Sequence, residues 1–473
     1  MPGSGWVVLD IGKTHSKLSL WSDDGRLLEK LVRRNQTVER CGYHTLDIRG
    51  TEAWLEKGLR SLAKKAEVRA IIPVAHGAAA AVIEGRQVLI PPLCYDRFPR
   101  SAFDADYTKL RDEFPATGSP RLPGGLNLGN QLFRWAKDFA PGIWPRRGLL
   151  VTYPQYWAWV LSGVAATEIT SLGCHTDLWR PFERKFSHLA QSAGWVNGLA
   201  PLHPASEVLG EISASWAART GLPRTCVIYC GIHDSNAALH GARVFPQFSG
   251  KDLTILSTGT WFVSMRAPSE KYTRGMIELD ESRDTLVNVD LNGDPIPSAR
   301  FMGGREFEKI QGGALLSGDK PARDEIMSCI QDVVEGGAMI LPSFVPGVGP
   351  FPKARGHMEG VAVGTESIGT AASLYLSLLA HESLSLIGTR DTILIEGPFA
   401  RDPIFISSLA TLRRDCEVYT VQMDGGLAFG ARRLAVPSLL PPQQPDPVKP
   451  LDIDICAYAE RWRRLSIAYQ VAA

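Results

Sequence analysis

The sequence predicts an α/β protein built from two similar domains, and three observations support that prediction. Its 473 residues are more than one hydrophobic core usually serves, so we expect two domains of roughly 200 residues each. Short apolar runs alternate along the chain with stretches of helical spacing. Two polar strings, LDIGKT at 9–14 and LSTGTW at 256–261, each lie between apolar runs. Their likeness predicts two lobes that each present a hairpin loop, with a boundary near residues 244–250.

The first predicted domain begins with a strand hairpin and continues with alternating elements. The tripeptide DDG at 23–25 is a typical hairpin turn between apolar runs. Residues 91–145 are rich in proline, glycine and aromatics, which predicts long loops over a site. The predicted strands lie at 7–9, 17–21, 27–32, 68–74 and 226–230, and the predicted helices lie at 52–66 and 153–161.

The second predicted domain repeats this beginning. Two strands are expected within 251–265, on either side of the second polar string, and the proline-rich residues 437–450 predict an extended connector. An amphipathic helix packed back on the body is expected to close the chain. The remaining predicted elements are a strand at 392–396 and helices at 368–387, 402–413 and 451–469.

Bulk composition limits the classes of function. With 51 basic and 50 acidic residues, the chain lacks the basic excess expected of a nucleic-acid-binding protein. Its first ten residues do not resemble a signal peptide, and its longest apolar run, interrupted by Pro73 and His76, is too short to span a membrane. Eight scattered cysteines predict reduced, buried thiols. We therefore expect a soluble cytoplasmic protein that binds neither nucleic acid nor membrane.

The first polar string carries more chemistry than a turn requires. Amide groups of a tight turn, hydroxyls of Thr14 and Ser16, and the ammonium of Lys13 or Lys17 could hold phosphate oxygens. Asp10 would repel an anion, so its carboxylate suits Mg²⁺ bound through water between it and a phosphate. A hairpin that merely carries polar residues explains the same pattern equally well.

Two further segments carry candidate groups. Asp234, in GIHDSNAALHG at 231–241, follows a predicted buried strand and precedes an apolar helical run, where a carboxylate could accept a proton from a substrate hydroxyl. The alternative is that Asp234 caps the helix. The string STGTW at 257–261 offers hydroxyl and amide donors for a second phosphate contact, or it forms a turn whose hydroxyls are already satisfied.

These segments, taken in chain order, resemble the FGGY family of carbohydrate kinases. DIGKTHSKL and LSTGTW resemble the family's two phosphate hairpins, and GIHDSNAALHG resembles the segment of its catalytic aspartate. Other similar segments are VAHGAAAAVI, CYDR, YWAWVLSG with the following TD pair, FMGGREF, LPSFVPGVGPFPKARGHMEG, EGPFARDPIF and DGGLAFGA.

The resemblance implies a fold, cofactors and a reaction. It implies two ribonuclease H-like domains of the actin, hexokinase and Hsp70 ATPase type flanking a cleft. The sugar-side domain would span 1–245, the nucleotide-side domain 246–435, and the connector with its helix 436–473. ATP and Mg²⁺ would be required, with Mg²⁺ held by Asp10 through water and with Asp234 as the general base. The resemblance leaves room for a homodimer.

The resemblance also implies which residues contact each ligand. His76 and His175 could instead be ordinary core or surface histidines, and Gln131 could be a helix-surface residue. The residues assigned to ATP are Gly12, Lys13, Thr14, Ser16, Thr258, Gly259, Thr260, Gly303, Gly304, Gly397, Phe399 and Asp402. The residues assigned to the sugar are His76, Gly77, Asp96, Gln131, His175 and Asp234.

Three departures from the family pattern affect these assignments. Pro398 and Phe399 follow Gly397 where a second glycine is usual, Lys13 stands where threonine is usual, and Arg97 follows Asp96 directly. An L-rhamnulose- or L-fuculose-like ketose is the leading acceptor, and xylulose, ribulose, glycerol or erythritol are alternatives. A different class of function would be a sugar-binding sensor protein that has lost catalysis.

Overall fold

The computed structural model describes residues 3–40, 42–98, 105–312, 323–361, 367–422 and 425–472. The chain divides into two compact units. The first comprises Met1–Val244, Val287–Pro295 and Gly425–Pro442, and the second comprises Phe245–Leu286, Ile296–Asp424 and Gln443–Ala473. Val287–Pro295 and Gly425–Pro442 thus belong to the first unit, although they come after the start of the second unit in the sequence. The predicted domains were consecutive stretches of the chain and did not include this arrangement. The assignment of a sugar side and a nucleotide side remains a prediction.

The strands include every one that the sequence predicted. They are β1 Ser4–Ile11, β2 His15–Ser22, β3 Leu27–Arg34, β4 Thr37–Arg40, β5 Tyr43–Leu46, β6 Glu67–Ala75, β7 Ala80–Glu84, β8 Gln87–Ile90, β9 Leu149–Thr152, β10 Trp179–Arg180, β11 Lys185–Phe186, β12 Val208–Glu211, β13 Val227–Tyr229, β14 Ile232–His233, β15 Leu253–Thr258, β16 Phe262–Ala267, β17 Thr285–Val289, β18 Pro295–Phe301, β19 Met339–Leu341, β20 His357–Glu359, β21 Asp391–Glu396, β22 Cys416–Val421 and β23 Asp446–Pro447.

The helices also include every predicted one. They are α1 Ile48–Leu62, α2 Ala105–Leu110, α3 Phe114–Thr117, α4 Leu128–Arg134, α5 Tyr153–Ser162, α6 Ile169–Leu172, α7 His188–Ser192, α8 Ala214–Thr220, α9 Asp234–Ala242, α10 Gly303–Gln311, α11 Arg323–Glu335, α12 Ser367–Leu386, α13 Pro403–Leu412, α14 Gly426–Arg433 and α15 Cys456–Ala472. A π-helical turn at Trp135–Phe139 continues α4. Short 3₁₀ turns lie at Tyr95–Arg97, Trp195–Gly198, Pro246–Phe248, Glu281–Arg283 and Pro398–Arg401.

The main sheet of the first unit has the strand order β12-β13-β6-β1-β2-β3, and β14 also pairs with β6. Strand β1 is parallel to β6 and antiparallel to β2. Its alternate side chains enter different cores: Val7 packs in a cluster with Leu55 of α1, whereas Val8 packs with Ala237 of α9 and Ala431 of α14. Layers on both faces bury this strand, which explains its nearly continuous apolar sequence.

The main sheet of the second unit has the order β17-β18-β16-β15-β21-β22-β23. Strand β15 is antiparallel to β16 and parallel to β21, so the central connectivity of the first sheet is repeated. Helix α15 packs back on this unit, because Tyr458 donates to the carbonyl of Ala338 and Trp462 to that of Ile340, both at 2.8 Å. The expectation that the closing helix packs on the body is confirmed.

Two expectations about secondary structure were wrong. Residues 91–145 were expected to be long loops, but they contain α2, α3 and α4, and a left-handed glycine, Gly118, ends α3. The closing helix begins at Cys456 and not at 451, because the Asp454 carboxylate accepts the Cys456 amide at 2.8 Å and starts the helix there. None of the helices in the described ranges combines the length and apolar character that a membrane span requires.

Candidate functional site

The turn between β1 and β2 is shaped by Asn35. The Gly12 amide donates to the carbonyl of His15 at 3.1 Å. The Asn35 side chain donates to the Gly12 carbonyl and accepts from the Ser16 hydroxyl, both at 2.7 Å. Ser16, which the resemblance assigns to ATP, is buried and uses its hydroxyl in this contact. Thr14 is exposed, so its hydroxyl and the turn amides are what this loop offers to a ligand.

Asp10 lies beside both a cation and a second carboxylate. It pairs with Lys17 across β1 and β2, and Lys17 Nζ lies 3.1 Å from Asp10 Oδ2. The pKa of Asp10 is raised by burial and by the charge of Asp234, although the charge of Lys17 lowers it in part. Asp10 and Asp234 are therefore close enough to repel each other in a place shielded from water.

This donor set fits magnesium. Among the described residues, no group of three or more His, Cys, Asp or Glu side chains could hold a metal by itself. Mg²⁺ commonly binds through only one or two carboxylates and fills its other positions with water and substrate phosphate. A buried carboxylate with a raised pKa and a carboxylate neighbour is a place where a dication would relieve repulsion. Asp10 is the residue that would hold it.

Lys13 reaches the segment that follows β8. Its Nζ lies 3.1 Å from Asp96 Oδ2, 3.1 Å from Cys94 Sγ and 4.0 Å from the centroid of the Tyr95 ring. The resemblance assigns Lys13 to ATP and Asp96 to the sugar, but here the ammonium is paired with that carboxylate. Lys13, Asp96 and Arg97 help to line a cavity of about 370 Å³. The ammonium of Lys13 is therefore directed toward Asp96, the residue that the resemblance assigns to the sugar.

Strands β1, β6 and β14 run in parallel and end side by side, so the residues that follow β6 and β14 lie close together. Strands β1 and β14 both pair in parallel with β6, so Ile11 and His233 flank Ala75. The amide of His76, the residue after β6, donates to the Ile11 carbonyl at 3.2 Å. The residue after β14 is Asp234. The carboxyl ends of parallel strands are the usual location of ligands in open α/β sheets, and the structure gathers the predicted residues there.

His76 and Gly77 lie against a buried cysteine and a second histidine. His76 Nδ1 lies 2.6 Å from the Gly77 carbonyl, so it donates there and leaves Nε2 as an acceptor. Burial and the Lys13 charge lower the pKa of His76 to about 4, so this ring is neutral near pH 7. A Cβ on Gly77 would lie 3.1 Å from both Cys174 Sγ and His233 Nε2. Glycine thus allows the chain to pass this pair closely.

Asp234 does not cap its helix. It is the first residue of α9, His233 precedes it at the cap position, and its Oδ1 accepts the amide of Ser235 at 2.7 Å. A capping carboxylate would instead accept an amide two or three residues further on. His233 Nε2 lies 3.3 Å from the same Oδ1. Oδ2 has no hydrogen-bond partner among the described residues, and the side chain is 28% exposed.

Gln131 and His175 hold neighbouring loops. Gln131 is fully buried and its Nε2 donates to the carbonyls of Ala78 and Gly125 at 2.8 and 2.5 Å, so it is not a helix-surface residue. Its Oε1 has no partner in the described part of the chain and could accept a substrate hydroxyl. His175 is buried, and its Nδ1 donates to the Leu126 carbonyl at 2.8 Å.

Three glycine-containing segments of the second unit meet at the turn between β15 and β16. A Cβ on Gly304 would lie 2.3 Å from the Gly259 carbonyl oxygen, and a Cβ on Gly397 would lie 2.0 Å from the Thr258 carbonyl oxygen. Gly397 also has a φ of 89°, which side chains disfavour. The Thr258 hydroxyl accepts the Phe399 amide at 3.1 Å. The segments assigned to ATP in this unit therefore form one cluster, with Thr260 exposed at its tip.

Other residues assigned to ATP serve the fold. Gly303 begins α10 so close to Phe262 that a Cβ would lie 2.5 Å from the ring. Phe399 is buried in an aromatic cluster with Phe262. Asp402 caps α13, since its Oδ1 accepts two amides of the first turn at 3.0 and 3.2 Å and its Oδ2 accepts the Ser373 hydroxyl at 2.5 Å. Burial raises the pKa of Asp402.

Reasoning from sequence missed Asn35, Cys174 and His233. Asn35 follows β3, and nothing in its local sequence indicates that it braces the first turn. The other two residues could have been found from their neighbours in the sequence. Cys174 directly precedes the candidate His175, and His233 directly precedes the candidate Asp234. Their mutual contact depends on the tertiary fold.

Comparison with known proteins shows what this chain is similar to. The family model "Carbohydrate kinase FGGY, C-terminal domain" matches residues 250–444. A crystal structure of a carbohydrate kinase from Novosphingobium aromaticivorans is 40% identical, covers 99% of each chain and has a TM-score of 0.88. A ligand-bound xylulose kinase from Lactobacillus acidophilus shares the fold, with a TM-score of 0.78 at 14% identity over 98% of this chain and 97% of its own.

A curated rhamnulokinase from Ligilactobacillus salivarius is 25% identical over 268 residues. The match covers 54% of this chain and 53% of the relative, so the chain spans about half the length of the curated relative it matches. Together with the structural matches, this confirms the predicted fold class, the actin- and hexokinase-like ATPase fold. These relatives are phosphotransferases that act on sugars or polyols.

Proposed function

The chain belongs to the FGGY family of carbohydrate kinases, and on that premise we propose that it transfers the γ-phosphoryl group of ATP to a hydroxyl of a ketose. One observation carries this proposal. Asp234 stands at the ends of parallel strands beside Asp10, with one carboxylate oxygen held and the other unbonded. Asp402, a buried carboxylate that stabilises the fold, uses both of its oxygens, whereas Asp234 is partly exposed and keeps Oδ2 open to a ligand.

In the proposed reaction, Asp234 orients the acceptor hydroxyl and takes its proton on Oδ2. The hydroxyl oxygen forms a bond to the γ-phosphorus while the bond from that phosphorus to the bridging oxygen breaks. ADP leaves with the electron pair, and the proton later passes from Asp234 to solvent. Such a transfer needs mainly positioning and charge stabilisation. Mg²⁺ held by Asp10 would neutralise phosphate charge when bound.

The nucleotide phosphates are assigned to two turns, each within its own unit. Thr14 and the amides near Gly12 would donate from the first turn, and Gly259 and Thr260 from the second. Support for the second turn comes from its crowded glycines, which leave backbone amides accessible without side chains in the way. Ser16, Phe399 and Asp402 are better explained as supports of these turns than as direct ligands.

An L-rhamnulose- or L-fuculose-like ketose is the proposed acceptor class. The rhamnulokinase relative supports it, and three of the residues assigned to the sugar suit hydroxyls: the neutral His76, the paired Asp96 and Gln131, whose Oε1 has no partner among the described residues. Xylulose, ribulose and glycerol remain the alternatives. We place the reaction in the cytoplasm, which the free cysteines of the described residues support.

A panel of ketoses and polyols in a coupled ADP-release assay tests the proposal. One ketose should give ATP-dependent turnover, and Asp234→Asn should lower kcat by about 10²- to 10⁴-fold while ATP still binds. Asp138→Asn, which alters a partly exposed carboxylate paired with Arg134, is the matched control and should behave as wild type. Unchanged turnover in Asp234→Asn contradicts the assigned base. Binding of sugar and ATP without any transfer would indicate a sensor protein.

A further inference from the structure

Three buried side chains, those of Cys174, His233 and Asn236, form a contact group beside Asp234. His233 Nε2 lies 3.5 Å from Cys174 Sγ and 3.3 Å from Asp234 Oδ1. On the other edge of the ring, His233 Nδ1 lies 2.9 Å from Asn236 Oδ1. Cys174, His233 and Asn236 are all buried. The one ring thus contacts a thiol, a carboxylate and an amide at the same time.

The hydrogen-bond geometry determines where the ring protons lie. Asn236 Nδ2 donates to the Val289 carbonyl at 2.5 Å, so its Oδ1 faces the ring and must accept from His233 Nδ1. His233 Nε2 forms its hydrogen bond with Cys174 Sγ and also lies 3.3 Å from Asp234 Oδ1, where an ionised carboxylate would repel an unprotonated nitrogen, so Nε2 carries a proton as well. A ring that donates from both nitrogens is an imidazolium. A buried cation of this kind needs a nearby anion, and the Cys174 sulfur is the group at its other side.

We propose that His233 is a positioning residue, held as an imidazolium by the Cys174 thiolate, and that it fixes Asp234 Oδ1 so that Oδ2 alone is presented to the acceptor hydroxyl. The proposal rests on the proposed kinase function. The Ser235 amide donates to Oδ1 at 2.7 Å and His233 Nε2 lies 3.3 Å from the same oxygen, so a hydrogen bond and an ion pair together restrict rotation of the carboxylate.

The electrostatics of the surrounding groups agree with this pairing. Burial alone would raise the pKa of the Cys174 thiol, but the His175 and His233 rings lower it below its usual value. Burial alone would lower the pKa of His233, but Cys174 and Asp234 raise it.

Two further titratable groups influence this site. His233 acts electrostatically on His76, a neutral ring, and on Glu168. Burial raises the pKa of Glu168 to about 7, and its oxygens are occupied at the start of α6. Cys174 therefore remains the principal counter-ion.

The pH profile of kcat separates this role from a purely structural one. In Cys174→Ser the anion is lost, so the pKa of His233 should fall toward the ordinary value of about 6.5. The variant should match wild type near pH 6 and lose activity by about 10- to 100-fold as pH rises to about 9, because the cation beside Oδ1 is lost. Wild type should stay flat over that range. Cys226→Ser alters another buried cysteine, whose pKa is raised by burial alone, and should also stay flat.

A measurement on the unaltered protein tests the same idea independently of folding in variants. Histidine labelled with ¹⁵N should show both ring nitrogens of His233 protonated near neutral pH, with the signal identified by its absence in His233→Gln. A flat profile for Cys174→Ser, or one unprotonated His233 nitrogen in wild type, would overturn the proposal. If no acceptor is phosphorylated by wild type, the kinase proposal fails, while the nitrogen signals still decide whether the ion pair exists.

Discussion

The hairpin turns of the two units share their backbone arrangement but differ in the charges they carry. Each turn has three residues, 12–14 or 259–261, and glycine is the first of them. Each links a central strand to an antiparallel neighbour, and each central strand is parallel to another on its other side. Asp10 lies two residues before the glycine of the first turn, and Ser257 lies at the same position before the glycine of the second. One supersecondary unit is thus used with two different electrostatic environments.

The surroundings of the turns differ in the same sense. Lys13 and Lys17 of the first turn each pair with a carboxylate, and their counterparts in the second turn, Thr260 and Ser264, are uncharged. The second turn is packed by the backbone of other glycine segments, and the charged side chains beside it, Arg300 over the Trp261 ring and Glu396 bonded to the Ser257 hydroxyl, come from other strands. Charged side chains suit proton transfer and metal binding, whereas an uncharged, tightly packed turn suits backbone recognition of phosphate. The comparison therefore predicts different consequences for substitutions in the two turns.

The largest effect is expected at the charged turn. Asp10→Asn keeps the shape but removes the carboxylate that would hold Mg²⁺. We expect kcat to fall by about 10²- to 10³-fold, comparable to loss of a group that stabilises transition-state charge, and the Mg²⁺ concentration for half-maximal rate to rise. Initial rates measured against Mg²⁺ concentration provide the test. An unaltered rate and Mg²⁺ dependence would contradict the role of Asp10.

Thermal unfolding separates this loss from a loss of stability. Because the pKa of Asp10 is raised in the folded state, its ionised form is less stable there than in the unfolded chain. That cost is absent at low pH and grows as pH rises above the unfolded value. The melting temperature of Asp10→Asn near neutral pH should therefore equal or exceed that of wild type.

A smaller and more selective effect is expected at the uncharged turn. A Cβ on Gly304 would lie 2.3 Å from the Gly259 carbonyl, whereas a Cβ on Gly259 itself would have its nearest neighbour at 3.7 Å. Gly304→Ala should raise the KM for ATP at least tenfold and lower the free energy of unfolding by about 1–3 kcal/mol, because the turn must shift.

Gly259→Ala is the matched control for that shift. It should raise the KM for ATP without lowering the melting temperature, since only a bound phosphate would meet the new methyl group. Neither variant should change the KM for the acceptor. If Gly259→Ala binds ATP like wild type, close approach of phosphate to this turn is wrong.

The sequence predicted the elements of this comparison better than their connections. Both hairpins, the strand before Asp234 and the glycine pair at α10 are local patterns, because apolar alternation and turn residues determine them within a few positions. The direction of the Lys13 side chain was not predictable. Its partner Asp96 is far along the chain. Nothing in the sequence around a flexible lysine indicates whether it contacts this carboxylate or a phosphate of ATP.

The same limit applies to residues whose contacts within the fold the sequence did not indicate. Asp402 was assigned to ATP by likeness to a family segment, but a buried aspartate before Pro403 is also a good helix cap. The structure uses its Oδ1 for the cap and its Oδ2 to accept the Ser373 hydroxyl. The contact between Cys174 and His233 joins segments about sixty residues apart. Such contacts depend on how β6, α6 and β14 pack, which no short pattern specifies.

The smallest effect is expected at Lys13. This residue tests whether the charge carried by the first turn acts on the acceptor or on ATP. Lys13→Thr restores the residue that the family usually has and leaves Asp96 without its cation. Because Lys13 contacts Asp96 and the Tyr95 ring, we expect the KM for the acceptor to change by about tenfold, roughly 1.4 kcal/mol, and the KM for ATP to stay within about twofold. Lys13→Arg keeps the charge and should lie between the two. A change confined to the KM for ATP would instead make Lys13 a phosphate ligand, which would act beside Thr14 of the same turn and not on the acceptor.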